Sequence, residues 1–96
     1  MITVLPSGQV EFRFFRRDVQ SVSVVGTFNA WQEGQTPMQP LGDGWWRAQL
    51  PLPDGLHQFR YLADGQWFTD FAAHGVEHSK WAINSLIVLG RARAAA

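Results

Sequence analysis

The sequence predicts an all-β fold, a β-sandwich of six or seven short strands. Short segments that alternate apolar and polar residues recur along the chain, and turn-forming residues separate them. No stretch of ten or more residues has a helical period. A closed five-stranded barrel is the alternative that this pattern leaves open. The length of 96 residues fits one domain; we expect its core within residues 9–89, and residues 90–96 to form a tail.

The first three predicted strands follow from local composition. Residues 10–14 alternate with a period of two, and residues 19–26 form a valine-rich run that ends at Gly26. Residues 45–50 lie between a Gly-Asp-Gly turn and a Pro-Leu-Pro-Asp-Gly turn. Residues 32–43 contain prolines and glycines and are expected to be mainly loop.

The remaining strands surround a hairpin. Residues 57–63 and 66–70 flank Asp64-Gly65, the strongest short-range hairpin signal, and residues 84–89 form a last apolar strand. We expect residues 71–81 to form a polar loop with at most a short helical turn.

The pleat of these strands predicts which aromatic side chains face outward. A two-residue turn at Asp64-Gly65 places Leu62 opposite Trp67 and Arg60 opposite Thr69. Phe59, Tyr61 and Phe68 then form the core face, and Trp67 and Arg60 lie outside. By the same alternation Trp46 points inward and Trp45 outward.

The composition indicates binding and excludes several other functions. Five tryptophans are more than so small a core absorbs, so some rings are expected to contact solvent or a ligand. Eight basic and eight acidic residues cancel, which argues against nucleic acid and anionic membranes as partners. The chain has no cysteine and no apolar run long enough for a membrane helix or a signal peptide. The expected location is the cytoplasm, although a module of a larger protein would look the same.

Catalytic chemistry is not predicted. Residues 74–78 (HGVEH) match a zinc-protease pattern, but Gly75 interrupts the helix that the pattern requires, and no third ligand is in view. The acidic residues lie mainly in turns, without a cleft in which two carboxylates could hydrolyse a glycoside. We therefore expect no enzyme activity, no metal and no cofactor.

Four motifs resemble those of family 48 carbohydrate-binding modules. They are residues 26–31 (GTFNAW), residues 52–61 (LPDGLHQFRY), residues 64–67 (DGQW) with Asp70, and residues 84–88 (NSLIV). The family includes the glycogen-binding domain of the AMP-activated protein kinase β subunit and the early-set domains of branching and debranching enzymes. The resemblance covers residues 9–89 and implies an immunoglobulin-like (early-set) sandwich that binds α-1,4-linked glucose chains.

The resemblance also implies a set of binding residues. The two tryptophans that cradle sugar rings fall on Trp31 and Trp67, the basic residue on Arg60, and the asparagine that contacts sugar hydroxyls on Asn84. The loop before Asn84 departs from the family, because Lys80 and Ala82 replace an apolar residue and a threonine. Further candidate contacts are Trp45, Gln66, Lys80 and Trp81.

Each candidate also has a purely structural interpretation. Trp31 could close the end of the sandwich, Trp45 could cover a neighbouring side chain, and Arg60 could be a solvated strand residue. The predicted function is non-catalytic binding of glycogen, starch or maltooligosaccharides. The alternative is an interaction module that docks onto an enzyme or kinase of glycogen or starch metabolism, with the exposed aromatic residues as its interface.

Overall fold

A computed structural model gives the structure of the chain and describes residues 1–78, 80 and 82–90. Within them, nine strands form two antiparallel sheets. The strands are β1 (Ile2–Val4), β2 (Gln9–Phe15), β3 (Val22–Gly26), β4 (Gln39–Gly42), β5 (Trp45–Pro51), β6 (Gly55–Ala63), β7 (Gln66–Phe68), β8 (Gly75–His78) and β9 (Ile83–Leu89). One sheet has the order β1-β2-β5-β4, and the other has the order β3-β6-β9-β8 with β7 paired to β6.

The core lies between the two sheets and is rich in aromatic rings. Phe12 of β2 meets Phe59 of β6 edge to face, with ring centroids 5.1 Å apart. Phe14 and Tyr61 make a second contact across the sheets at 4.7 Å. Alternate residues of β6 are buried, as expected for a strand with one face on the core. The two open sheets confirm the predicted sandwich and exclude the barrel.

The structure corrects the number and bounds of the predicted strands. The strand expected over residues 19–26 begins at Val22, and the strand expected over residues 66–70 ends at Phe68. Arg60 and Thr69 are therefore outside the β6–β7 ladder, which contains Tyr61–Phe68, Leu62–Trp67 and Ala63–Gln66. Strand β1 was not predicted, and β4 and β8 lie in segments expected to be loop.

The three additional strands, β1, β4 and β8, are short, and each lies at an edge of its sheet. β4 contains Pro40, which an edge strand tolerates because one side of its backbone needs no partner. β8 begins with Gly75, so composition favoured a loop there. An extended backbone across residues 75–78 also separates His74 and His78 by about 13 Å, at 3.3 Å per residue. The zinc-protease geometry, which needs one helix face, is therefore absent from this segment.

Candidate functional site

The candidate site lies on the outer face of the five-stranded sheet. On β6 the outward positions are Gln58, Arg60 and Leu62, which alternate with the buried Phe59 and Tyr61. The neighbouring strands extend this face: Trp67 is in register with Leu62, Asn84 alternates with the buried Ser85, and Glu77 is in register with Asn84. Paired residues of neighbouring strands lie on the same face. Strand pairing thus brings three of the four main predicted residues, Arg60, Trp67 and Asn84, onto one surface.

A tight turn after β3 brings the fourth residue, Trp31, to the same surface. Position 26 requires glycine because the backbone there passes close to β6: a Cβ would lie 2.3 Å from the carbonyl oxygen of Gln58. The Asn29 side chain holds the turn: its Oδ1 accepts from the Gly26 N–H at 3.0 Å, and its Nδ2 donates to the Val24 carbonyl at 3.0 Å. Ala30 and Trp31 then adopt left-handed backbone conformations. The GTFNAW motif therefore forms a turn that reverses the chain and places the Trp31 indole beside β6.

Arg60 connects the two tryptophans. Its guanidinium carbon lies 4.6 Å from the centroid of the Trp67 ring and 5.9 Å from that of Trp31. Both distances are in the range of cation–π attraction. Trp67 is 38 % exposed and Trp31 is half-buried. Arg60 thus contacts two indoles that both reach the surface, and its guanidinium is within cation–π distance of each.

Two polar atoms of this face are buried without a partner among the described residues. They are Nε of Arg60, a donor, and Oδ1 of Asn84, an acceptor. Arg60 follows Phe59 on β6, and Asn84 precedes Ser85 on the antiparallel β9, so the two residues are neighbours one step beyond the registered pair Phe59–Ser85. A buried polar atom without a hydrogen bond is costly. A ligand that supplied one acceptor and one donor would satisfy both once the side chains that cover them moved aside.

The hairpin that carries Trp67 is fixed by Asp64. Asp64 and Gly65 both have positive φ, of 47° and 82°, as a type I′ turn requires. The Asp64 carboxylate accepts hydrogen bonds from the backbone N–H groups of Gln20 and Ser21 at 3.0–3.1 Å. These bonds, of which the one from Gln20 has the largest effect, hold the pKa of Asp64 below its usual value. The loop before β3 and the β6–β7 turn are therefore tied together.

A second polar cluster, around Asp70, is structural. Tyr61 donates from its hydroxyl to Oδ2 of the buried Asp70 at 2.7 Å, and the amino group of Met1 pairs with the same carboxylate. Burial, and then the negative charge of Asp70, raise the pKa of Tyr61 far above its ordinary value. The phenol therefore stays protonated and keeps donating. Ser85 accepts from the Asp70 backbone N–H at 2.6 Å, which ties the cluster to β9.

The additional predicted contacts do not gather around the tryptophans. Trp45 is 37 % exposed, as its outward orientation predicts, but it lies on the other sheet. Gln66 is in register with the buried Ala63 and so has the opposite pleat to Trp67. Lys80 is exposed shortly after β8. Trp81 lies outside the described residues.

Trp45 belongs to a separate aromatic patch on the four-stranded sheet. Its ring is 5.2 Å from that of Phe15, which is 48 % exposed. Phe71, 72 % exposed, lines the same shallow depression as Trp45 and Phe15. We call Phe15 and Trp45, which are paired on the four-stranded sheet, the aromatic patch. It is on the opposite side of the sandwich from Trp67.

Sequence reasoning did not identify Glu77 and Gln58 as members of the site. Gln58 donates to Glu77 at 2.6 Å and accepts from Asn84 at 3.1 Å. The alternation along β6 placed Gln58 on the outer face, but Glu77 was assigned to a loop. A strand at residues 75–78 would have been needed to place it.

An all-β sandwich with an accessible indole pair and unpartnered polar atoms on one sheet face defines a carbohydrate-binding module. Comparison with known proteins agrees: residues 10–93 match the family described as the glycogen recognition site of AMP-activated protein kinase. The chain belongs to this family.

Several curated proteins are similar to the chain over part of their length. A 1,4-alpha-glucan branching enzyme, GlgB, of Photobacterium profundum is 43 % identical over 57 residues, which are 58 % of this chain and 8 % of the enzyme. The human 5'-AMP-activated protein kinase subunit beta-2 is 34 % identical over 68 residues, 71 % of this chain and 24 % of the subunit. Subunit beta-1 of Sus scrofa is 32 % identical over 68 residues, 71 % of this chain and 53 % of that sequence. The chain thus spans a small fraction of the branching enzyme and of subunit beta-2.

Proposed function

We propose that the outer face of the five-stranded sheet binds α-1,4-linked glucan, as glycogen, starch or maltooligosaccharide, without chemical change. The observation that carries this proposal is the closeness of the Arg60 guanidinium to both the Trp31 and the Trp67 ring. Membership of a glycogen-recognition family supports it. Asn84, on the neighbouring strand, supplies a polar contact for sugar hydroxyls.

The chemistry of glucose fits such a surface. Each pyranose ring has faces of C–H bonds and a rim of hydroxyls, so an indole covers the face while polar side chains bind the rim. Covering about 60–80 Å² of apolar area per ring contributes roughly 1.5–2 kcal/mol. Two such rings, less the cost of association, give a Kd on the order of 10 µM to 1 mM.

A titration of the chain with maltoheptaose, followed by tryptophan fluorescence, tests the proposal. Binding should change the emission of the accessible indoles and saturate in that concentration range. Cellohexaose, a β-1,4-linked glucan, is the matched ligand control, because its chain is straight whereas an α-1,4-linked chain is curved. Absence of any maltoheptaose binding, with the protein folded, would refute the proposed function.

A second function, docking onto an enzyme or kinase of glycogen or starch metabolism, is favoured by the aromatic patch. Exposed aromatic groups of this kind are typical of protein interfaces. Because the patch lies on the other sheet, a partner there would leave the Trp67 face free for glucan. Trp45→Ala should then abolish capture of a glucan-metabolising partner and leave maltoheptaose affinity unchanged, and loss of glucan affinity instead would assign Trp45 to sugar binding.

The remaining parts of the proposal concern the whole protein. We infer that this chain has no catalytic activity of its own and that it acts in the cytoplasm, where it would bring a partner to glucan. None of the helices in the described part of the chain is long and apolar enough to cross a membrane.

A further inference from the structure

Gln58, Asn84 and Glu77 form a chain of hydrogen bonds beside the tryptophans. Asn84 donates from Nδ2 to Oε1 of Gln58 at 3.1 Å, and Gln58 donates from Nε2 to Oε2 of Glu77 at 2.6 Å. The three side chains come from β9, β6 and β8. Glu77 is in register with Asn84, and Gln58 is in register with Leu86, two residues further along β9.

The direction of this chain is set at its Glu77 end. A carboxylate only accepts hydrogen bonds, whereas a carboxamide has a donating end and an accepting end. Gln58 must therefore turn its NH₂ group towards Glu77, which leaves its oxygen for Asn84. Asn84 must in turn give its NH₂ group to Gln58, so its Oδ1 is the end left for a ligand. That oxygen is the buried acceptor without a partner among the described residues.

We propose that Glu77 is a positioning residue for glucan recognition: through Gln58 it fixes the orientation of the Asn84 amide, so that the oxygen is the end left for the sugar. This inference rests on the proposed glucan function. With Asn84 so held, the face offers one acceptor, Asn84 Oδ1, and one donor, Arg60 Nε. One sugar hydroxyl that donates and one that accepts would satisfy this pair.

The proposal predicts graded effects of changes at Glu77. Glu77→Gln removes the fixed direction, because the new amide can present either end, and should weaken maltoheptaose binding about three- to tenfold, the range of one hydrogen bond. Glu77→Lys only donates, so it reverses the chain and should weaken binding further. Asp43→Asn, which makes the same change of charge in an exposed turn of the other sheet, should bind like the parent.

A double-mutant cycle separates positioning from a direct or general charge effect. If Glu77 acts through Asn84, Glu77→Gln should have no further effect on affinity in an Asn84→Ala background. In the free protein, Glu77→Gln should shift the side-chain NH₂ signals of both Gln58 and Asn84 in ¹H–¹⁵N spectra, with a melting temperature close to that of the parent.

Three results would overturn the inference. One is parent-like binding by Glu77→Gln; another is an equal loss of affinity in the Asn84→Ala background; the third is an Asn84 amide signal that does not move. If the parent binds maltoheptaose and Glu77→Gln binds equally well, the proposed function stands and only the role of Glu77 falls. If the parent fails to bind, both fall.

Discussion

The Asp64 carboxylate ties the β6–β7 turn to the loop before β3 and also makes the stability of the fold depend on pH. Its carboxylate holds the Gln20 and Ser21 N–H groups, and these bonds lower its pKa in the folded state. The unfolded chain therefore binds more protons in the acid range. This part of the stability is fully present above the ordinary pKa of aspartate, about 3.9. It is lost as pH falls through the lower folded-state pKa.

Asp64→Asn should remove this pH-dependent part while keeping the turn, because asparagine tolerates the left-handed backbone. Thermal melts between about pH 2 and pH 5 should show a shallower loss of melting temperature on the acid side than in the parent. Asp43→Asn is the control, since among the described residues the Asp43 side chain shows no bond to backbone N–H groups. Equal acid slopes for Asp64→Asn and the parent would contradict this role.

At individual positions, the sequence was most informative where pleat and turn chemistry act together. The turn at Asp64-Gly65 fixed the Leu62–Trp67 register, and from it the outward orientation of Trp67 followed. Trp46 is 7 % exposed and Trp45 37 %, as their alternation predicted. The pleat alone does not tell whether an outward ring belongs to the proposed site, because Trp45 and Trp67 both point outward but lie on different sheets.

Among the elements, the turn after β3 depends most on one residue. The backbone of Gly26 is extended, a conformation that any residue adopts, so glycine is required there only because a side chain would not fit. Gly26→Ala would place a methyl group 2.3 Å from the Gln58 carbonyl oxygen and 2.9 Å from Cβ of Phe59. Separating β3 from β6 to relieve this overlap should cost about 1–3 kcal/mol and move Trp31.

Denaturant unfolding and maltoheptaose titration should both detect the Gly26→Ala change. The matched control is Gly75→Ala, where the added methyl meets only Cδ1 of Leu86 at an ordinary 3.6 Å. A Gly26→Ala variant with the stability and affinity of the parent would show that the close approach is not needed.

The elements missed from the sequence have a common physical cause. β4 and β8 lie at sheet edges, where one side of the backbone needs no partner and polar residues, glycine or proline are tolerated. Their existence depends on pairing with β5 and β9 rather than on their own composition. Because no periodicity marks β8 in the sequence, the position of Glu77 on this sheet face could not be predicted.

For the whole molecule, we predict that the fold and the proposed site depend on packing and stacking and not on a metal. No group of three or more potential ligands from His, Cys, Asp and Glu lies together in the described part of the chain. His74 accepts through Nδ1 from the Val88 N–H at 2.9 Å. Adding EDTA should therefore leave the melting temperature and maltoheptaose affinity unchanged. A clear fall in either would indicate a metal site.

In the two functions proposed above, each sheet has its own binding surface. The five-stranded sheet carries Trp67, Arg60 and Asn84, and the four-stranded sheet carries the aromatic patch. The central claim is that the first face holds glucan and contributes little to the core. A buried ring and an accessible ring should then respond oppositely to truncation.

The most direct test compares Trp67→Ala, Trp31→Ala and Trp46→Ala in melting temperature and in retention on amylose. Trp67→Ala and Trp31→Ala should stay folded, and Trp67→Ala should lose about 1.5–3 kcal/mol of glucan binding, the range of a binding hot spot. Trp46→Ala, with its ring buried, should cost about 3–5 kcal/mol of stability and damage the fold. If Trp67→Ala unfolds, or stays folded and binds amylose as well as the parent, the account is wrong.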